Sequence, residues 1–65
     1  MNWEQLEGKW DQIKGTIKTK WAELTDDDLL LIEGKKDKFI GMLQERYGIT
    51  KEEAEKQADE FDLDL

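Results

Sequence analysis

The side chains of this sequence that could do chemistry are carboxylates and lysines. Histidine, cysteine and serine are absent from the 65 residues. Their absence removes the usual general base near neutral pH, the common acyl-transfer nucleophiles and the commonest transition-metal ligands. Catalysis would have to rest on carboxylates or lysine alone. We therefore expect a protein that is not an enzyme and that binds no cofactor.

The densest group of carboxylates is Asp26–Asp28, which directly follows Thr25 in the motif LTDDDL. Clustered carboxylates suit calcium or magnesium. However, three consecutive residues of a helix point about 100° apart, and the calcium-loop spacing with its glycine and closing glutamate is absent. Threonine is a good N-cap, and the helix dipole favours negative charge in the first turn. We therefore predict a helix start rather than a metal site.

Basic and acidic side chains alternate in blocks along the chain. Residues 9–20 carry a net charge of +3 and residues 35–46 a net charge of +2, whereas the other segments are acidic and the whole chain carries −7. Blocks of opposite sign attract one another within a domain and favour solubility. Alternatively, Lys9, Lys35 and Lys36 contact the phosphate backbone of a nucleic acid, although the overall charge opposes such binding. Nucleic acid is therefore the less favoured partner.

Apolar side chains recur at steps of three and four in the first third of the chain. This spacing predicts a helix with one apolar stripe, running from Trp3 to about Trp21. Asn2 and Gln5 have the form of a capping box at its start.

Two further helices are predicted in the middle of the chain. A short helix begins after Thr25 and stops or kinks at Gly34. Its run of four apolar residues also suits a strand, but the cap favours a helix. The next helix runs from about Lys35 to Tyr47, and Gly48 is suited to end it.

A last short helix is predicted after Thr50, with Glu53 completing a capping box. The second half thus repeats the first: EGKWDQIKGTIKTKW at residues 7–21 returns as EGKKDKFIGMLQERY at residues 33–47. A single hairpin exposes its apolar stripe, whereas two packed hairpins bury both. The sequence therefore predicts an all-α bundle of two packed helical hairpins, with four helices and an internal duplication. The expected core consists of Trp10, Ile13, Ile17, Trp21, Leu29, Ile32, Phe39, Leu43, Tyr47 and Phe61.

The motifs GKWDQIKG, LTDDD, IEGKKD and ERYG follow one another in an order that resembles the CsbD-like family of small bacterial stress-response proteins. The similarity covers about residues 7–58. It implies two orthogonally packed hairpins, like those of the SAM-domain class, and expression under general stress. It implies no catalytic residues, because the family has no established biochemical activity.

Leu30 and Leu31 are candidates for an interaction surface. They lie within four consecutive apolar residues, Leu29–Ile32, which surround a helix on all sides. Either the short helix is completely buried between the hairpins, or one of these leucines faces water or a partner. Both alternatives are compatible with the sequence.

Gly15 and Gly41 occupy matching positions of the repeat and lie away from the apolar stripes. A glycine within a helix costs roughly 0.5–1 kcal/mol relative to alanine. Either these glycines are tolerated surface residues, or a partner or a second protomer approaches the bare backbone there.

The chain has no apolar run near 18 residues, no basic and apolar N-terminal segment and no cysteine. These features predict a cytoplasmic protein without a membrane span or signal peptide, and the length predicts one domain over residues 1–65. We expect a monomer or weak homodimer that, as the resemblance implies, acts in the stress response, by interaction with an unidentified protein, with membranes or with itself. The alternative is a nucleic-acid-binding helical-hairpin module.

Overall fold

The computed structural model describes the backbone over residues 3–64 and the side chains over residues 3–61. Within that part of the chain the backbone forms helices and no strand, which confirms the all-α prediction. The predicted capping box at the first helix involves Asn2, which lies outside the described residues. The helices are α1 (Trp3–Gly8), α2 (Trp10–Lys20), α3 (Asp26–Ile32), α4 (Lys36–Tyr47) and α5 (Lys51–Asp64).

The first predicted helix is divided at Lys9, so the prediction of one helix from Trp3 to about Trp21 is wrong. Lys9 has φ −117° and ψ 20°, and its N–H donates to the carbonyl of Leu6 at 3.1 Å, as in a 3₁₀ turn. Gly8, a weak helix former, directly precedes it. Over residues 3–64 the chain therefore has five helices where four are predicted.

Thr25 caps α3 as predicted, and Asp28 adds a reciprocal hydrogen bond that was not predicted. The hydroxyl of Thr25 accepts a hydrogen bond from the N–H of Asp28 at 3.1 Å, and the carboxylate of Asp28 accepts one from the N–H of Thr25 at 3.0 Å. This reciprocal capping box satisfies two backbone N–H groups that have no partner within the helix. The motif TDDD thus starts a helix.

The end of α3 is also as predicted, because Gly34 stops it. Glu33 and Gly34 adopt left-handed backbone conformations, with φ of +52° and +79°. A Cβ atom on Gly34 would lie only 2.6 Å from the Cα of Glu7. Gly34 therefore ends a helix and also forms a close backbone contact with α1.

The second half begins and ends its helices at the predicted signals, with one difference of length. Gly48 ends α4 with φ +64°, and the hydroxyl of Thr50 accepts a hydrogen bond from the N–H of Glu53 at 3.1 Å. However, α5 has 14 residues, so its prediction as a short helix is wrong. The position that corresponds to Gly34 in the repeat is Asp59, and aspartate does not stop the helix as that glycine does.

The core is built around aromatic side chains of α1, α4 and α5 and around Trp21, the residue that follows α2. The ring centroids of Trp3 and Trp21 lie 5.2 and 5.0 Å from that of Phe39, and Trp21 lies 5.3 Å from Phe61. Such tilted and edge-on pairs add to the stabilisation from burial.

Every predicted core residue except Tyr47 is buried. The buried apolar residues are Leu6, Trp10, Ile13, Ile17, Trp21, Leu24, Leu29, Ile32, Phe39, Ile40, Leu43, Ala54, Ala58 and Phe61.

The prediction that Tyr47 is buried is wrong, since this side chain is 38% exposed. Its hydroxyl lies at the surface and accepts a hydrogen bond from the backbone N–H of Glu23 at 3.1 Å. Tyrosine suits such a place because its ring is apolar and its tip is polar. Tyr47 thus connects the end of α4 to the loop between α2 and α3.

Helices that follow one another in the chain contact one another in space. α1 lies against α2, α2 against α3, α3 against α4, and α4 against α5. The grouping of these helices into two SAM-like hairpins, and their origin by duplication, stay predictions.

Candidate functional site

Leu30 and Leu31 form an exposed apolar pair on α3. Their exposed fractions are 60% and 62%, so the alternative of complete burial between the hairpins is wrong. Leu29 and Ile32, on the opposite side of the same helix, are buried. We refer to Leu30 and Leu31 as the leucine pair.

An open groove lies beside the leucine pair, between α2 and α3. Its volume is about 480 Å³. Gly15 contributes bare backbone to it, since a Cβ atom on this residue would meet nothing within 4 Å. The structure thus brings together two of the predicted surface features, Gly15 and Leu30. We call this the α2–α3 groove; its lining includes Asp11, Lys14, Gly15, Lys18, Asp26 and Leu30.

A second groove of about 580 Å³ lies between α4 and α5. Gly41 lines it in the same way, and again a Cβ atom would meet nothing within 4 Å. Gly41 is therefore in a different groove from Gly15 and the leucine pair. We call this the α4–α5 groove; its lining includes Asp37, Ile40, Gly41, Gln44, Lys51 and Glu55.

The three lysines predicted as phosphate contacts are placed differently from one another. The Lys35 ammonium lies 2.9 Å from the Glu7 carboxylate, which raises the pKa of Lys35. Lys36 pairs with Asp59. Lys9 is exposed at the junction between α1 and α2. Two of the three candidate cations are thus already neutralised by carboxylates of the same domain.

A further ion pair borders the α2–α3 groove. The Lys18 ammonium lies 2.7 Å from Oδ1 of Asp26, and both side chains are largely exposed. The hydrogen bond and charge of Lys18 lower the pKa of Asp26. This pair joins α2 to α3 at the surface, where ion pairs contribute little to stability.

The charged contact with the strongest geometry is between Asp28 and Arg46, and the sequence analysis did not predict it. Nε and Nη2 of Arg46 each donate to a different oxygen of Asp28, at 2.8 Å. The Asp28 side chain is only 3% exposed. Because these two residues lie 18 positions apart, only the folded chain reveals their pairing, which joins α3 to α4.

Protonation of Asp28 is expected to destabilise the domain at low pH. The Arg46 guanidinium and then the Thr25 N–H lower the pKa of Asp28 from 3.8 to about 2. The ionised carboxylate therefore contributes stability above about pH 4, on the order of 2 kcal/mol, and loses it as the pH falls from about 4 to about 2. We expect Asp28→Asn to unfold at lower urea concentration than the wild type at pH 6, and this difference to shrink towards pH 2.

Asp27→Asn is the matched control, because it removes the same charge from the same turn without touching Arg46. The difference in unfolding urea concentration between Asp27→Asn and the wild type should change less from pH 6 to pH 2 than the difference for Asp28→Asn. Equal pH dependence of the two variants would contradict the assignment to the Asp28–Arg46 contact.

Replacing both groove glycines should stabilise the protein. Gly15 and Gly41 lie within α2 and α4, and a methyl group on either would enter open space. The double variant Gly15→Ala with Gly41→Ala should therefore gain roughly 1–2 kcal/mol from helix propensity and raise the melting temperature by several degrees. A lower melting temperature in circular dichroism would contradict this placement of the two glycines.

The described residues contain neither a group of metal ligands nor a helix suited to cross a membrane. No group of acidic, histidine or cysteine side chains in residues 3–61 could hold a metal ion. None of the described helices has the length and apolar character that a membrane crossing requires.

Comparison with known proteins gives a consistent result. A family model described as CsbD-like matches residues 4–56. The UPF0337 protein YjbJ of Escherichia coli is 48% identical over 62 residues, which cover 95% of this chain and 90% of that protein. A UPF0337 protein of Pectobacterium atrosepticum is 56% identical over 57 residues, or 88% of this chain and 83% of that protein. No solved structure gives a significant match.

Proposed function

The chain belongs to the CsbD-like family, and from this premise we propose that it is a non-enzymatic protein of the general stress response that acts by binding a partner. The stress-response role rests on the family resemblance. We further propose that residues 1–65 form one domain that works in the cytoplasm, and that the binding surface consists of the leucine pair and the α2–α3 groove.

The observation that carries this proposal is the exposure of the leucine pair. Two adjacent leucines at 60% and 62% exposure place adjoining apolar surface in water beside an open groove, and adjoining exposed apolar side chains mark interaction sites. The fold does not need them, because the matching positions of the second half hold Glu55 and Lys56. A partner that covers the leucines accounts for their presence.

We also infer that the two halves are copies of one helical hairpin. What supports this is the correspondence of the two grooves. A shift of 26 residues takes Asp11, Lys14, Gly15 and Lys18 to four of the five residues of α4 in the second groove. A shift of 25 takes Asp26 and Leu30 to the two residues of α5 there. Each hairpin would thus carry a groove with a glycine at the same place, and the leucine beside Gly15 distinguishes the first groove from the second.

Nucleic-acid binding is less well supported. Lys35 and Lys36 pair with Glu7 and Asp59, so a phosphate would have to displace a carboxylate at each. Affinity for a nucleic-acid backbone comes mainly from charge neutralisation. A salt-dependent gel shift tests this alternative, and binding that persists at physiological salt would favour it.

The proposed function is tested in the bacterial host by replacing the leucine pair with the residues of the second half, Leu30→Glu with Leu31→Lys. The variant should melt like the wild type, because both side chains are exposed, and it should fail to restore survival of a deletion strain under stress. Substitution of Glu55→Ala with Lys56→Ala, on α5, is the matched control and should restore survival. If the leucine variant is present at normal levels and protects fully, the leucine pair is not the working surface.

A further inference from the structure

We propose that the face formed by α2 and α3 binds a second copy of this chain, so that the leucine pair of each copy packs against the α2–α3 groove of the other. This inference rests on the proposed function, since it identifies the partner of the same surface. It follows from three properties of that face: its shape, its charge and its difference from the α4–α5 face.

The α2–α3 face has both a projecting apolar part, the leucine pair, and a groove that can receive such a part. The leucine pair stands out from α3, and the α2–α3 groove beside it is open, with Gly15 presenting no side chain. In a twofold dimer the same patch is used by both copies, so it must contain a projecting part and a part that receives it. A groove of about 480 Å³ next to the leucines meets this condition.

The charge of the face is mixed and nearly balanced. Lys14 and Lys18 lie on α2, whereas Asp26 and Asp27 lie on α3, next to the leucine pair. No ion pair of Asp27 is found within residues 3–61. The ammonium of Lys14 lies 3.5 Å from the carboxylate of Asp11 on the same helix. Asp11 of α2 also lines the groove, and Lys18 already pairs with Asp26 within the chain. The face is therefore close to neutral, and a second copy meets little net charge there.

The same charges argue against other occupants. Nucleic acids and anionic membranes are repelled by a chain with a net charge of −7. A strongly basic protein would find more negative charge in residues 51–65, whose net charge is −5, than on the α2–α3 face. A second copy is also repelled by the net charge, but the nearly neutral α2–α3 face limits this repulsion at the contact, and the dimer gains the burial of four leucines.

The second half of the chain provides an internal comparison. The α4–α5 groove also contains a glycine, Gly41, but Glu55 takes the place of Leu30 in its lining. A charged residue there has to give up its hydration when a partner covers it. The α4–α5 face should therefore stay in solvent while the α2–α3 face associates.

The association is expected to be weak at low salt. A stable interface covers about 800 Å² on each partner, which is roughly a fifth of the 4225 Å² that this chain exposes. A stable dimer would thus cover about a fifth of the protein surface, of which the leucine pair is only a part. Two copies with a net charge of −7 each also repel one another, and added salt screens that repulsion. Salt should therefore strengthen the dimer, whereas it would weaken a complex between opposite charges.

The experiment is sedimentation velocity of the full-length protein, from about 10 μM to about 1 mM, at about 50 mM and about 500 mM sodium chloride. We expect a monomer–dimer equilibrium that shifts towards dimer at the higher salt. Leu30→Glu with Leu31→Lys should raise the dissociation constant by about tenfold or more. Gly15→Ala should also weaken the dimer because its methyl group enters the groove, whereas Gly41→Ala should leave it unchanged.

Several results would overturn the dimer. They are a monomer at every concentration and salt, a dimer that the leucine variant does not weaken, and equal effects of Gly15→Ala and Gly41→Ala. A photo-cross-linker in place of Leu31, used in stressed cells, distinguishes a wrong dimer proposal from a wrong proposed function. Capture of a different protein, together with loss of protection by the leucine variant, would reject the dimer and retain the binding surface.

Discussion

Replacing Gly34 with alanine is expected to lower the free energy of unfolding by about 3 kcal/mol or more. Two effects add at this position. The residue has φ +79°, where an alanine is strained, and the new Cβ atom would lie 2.6 Å from the Cα of Glu7. Glu7 cannot avoid this contact by changing its rotamer, because the contact is with its backbone. Either α1 must move away from the turn between α3 and α4, or the turn must change.

Two other glycines are controls for Gly34→Ala. Gly48 has φ +64° with open space around it, so Gly48→Ala should cost only about 1 kcal/mol from backbone strain. Gly8 matches Gly34 in the repeat but has open space and no positive φ, so Gly8→Ala should be nearly neutral. Urea unfolding followed by circular dichroism measures all three. If Gly34→Ala and Gly48→Ala cost the same, the contact between Gly34 and Glu7 is not a constraint on the fold.

The helix ends that could be predicted from the sequence are those with local chemical signals. Thr25 followed by three aspartates specifies a helix start. The hydroxyl of Thr25 and the carboxylate of Asp28 each accept a hydrogen bond from a backbone N–H group of the same turn. Gly34 and Gly48 specify helix ends, because both adopt left-handed conformations that other residues disfavour. These interactions span three or four residues and leave a readable pattern.

The break at Lys9 could not be predicted in the same way. The apolar steps from Leu6 to Trp10 and Ile13 continue at helical spacing through it, and all three side chains are buried. The apolar pattern therefore does not distinguish a straight helix from two helices joined by a turn. The contact of Glu7 with Gly34 accompanies the break, and that contact joins residues 27 positions apart.

Long-range polar contacts were equally hidden. Arg46 binds Asp28 across α3 and α4, and the indole N–H of Trp10 donates to the carbonyl of Leu29 at 2.8 Å. The sequence identifies Trp10 as a core residue, but it does not say which acceptor a buried indole will find. The place of Asp28 in the first turn of a helix was predicted from its local motif, whereas its binding of Arg46 depends on how two helices pack.

The candidate surface was partly predictable. Four consecutive apolar residues on a helix cannot all face one core. At least one of Leu29–Ile32 therefore had to face solvent, a partner or a second buried surface. Leu29 and Ile32 are three residues apart and share a face of α3, which leaves the leucine pair on the other faces. The groove beside the leucine pair was not predictable, because Gly15 reaches it from a different helix.

Phe39→Ala is expected to unfold the domain or to bring it close to unfolding. Phe39 has no exposed surface, and its ring lies 5.2 Å from that of Trp3 and 5.0 Å from that of Trp21. Removing it leaves a cavity at the centre of the aromatic cluster and removes both ring contacts, a loss of about 3–5 kcal/mol. A domain of 65 residues has a total stability of roughly 3–10 kcal/mol, so most of that stability can be lost.

Tryptophan fluorescence and thermal circular dichroism measure this result, because two of the three tryptophans contact the deleted ring. The variant should show emission shifted to longer wavelength and a melting transition that is strongly lowered or absent. Phe39→Leu should lose less, since a leucine refills part of the cavity, and Leu31→Ala should lose little because Leu31 is 62% exposed. This order follows from the burial of each side chain and from the size of the cavity that each substitution leaves. An unchanged melting temperature for Phe39→Ala would reject the placement of Phe39 at the centre of the core. It would also reject the packing of α1, α4 and Trp21 around one aromatic cluster.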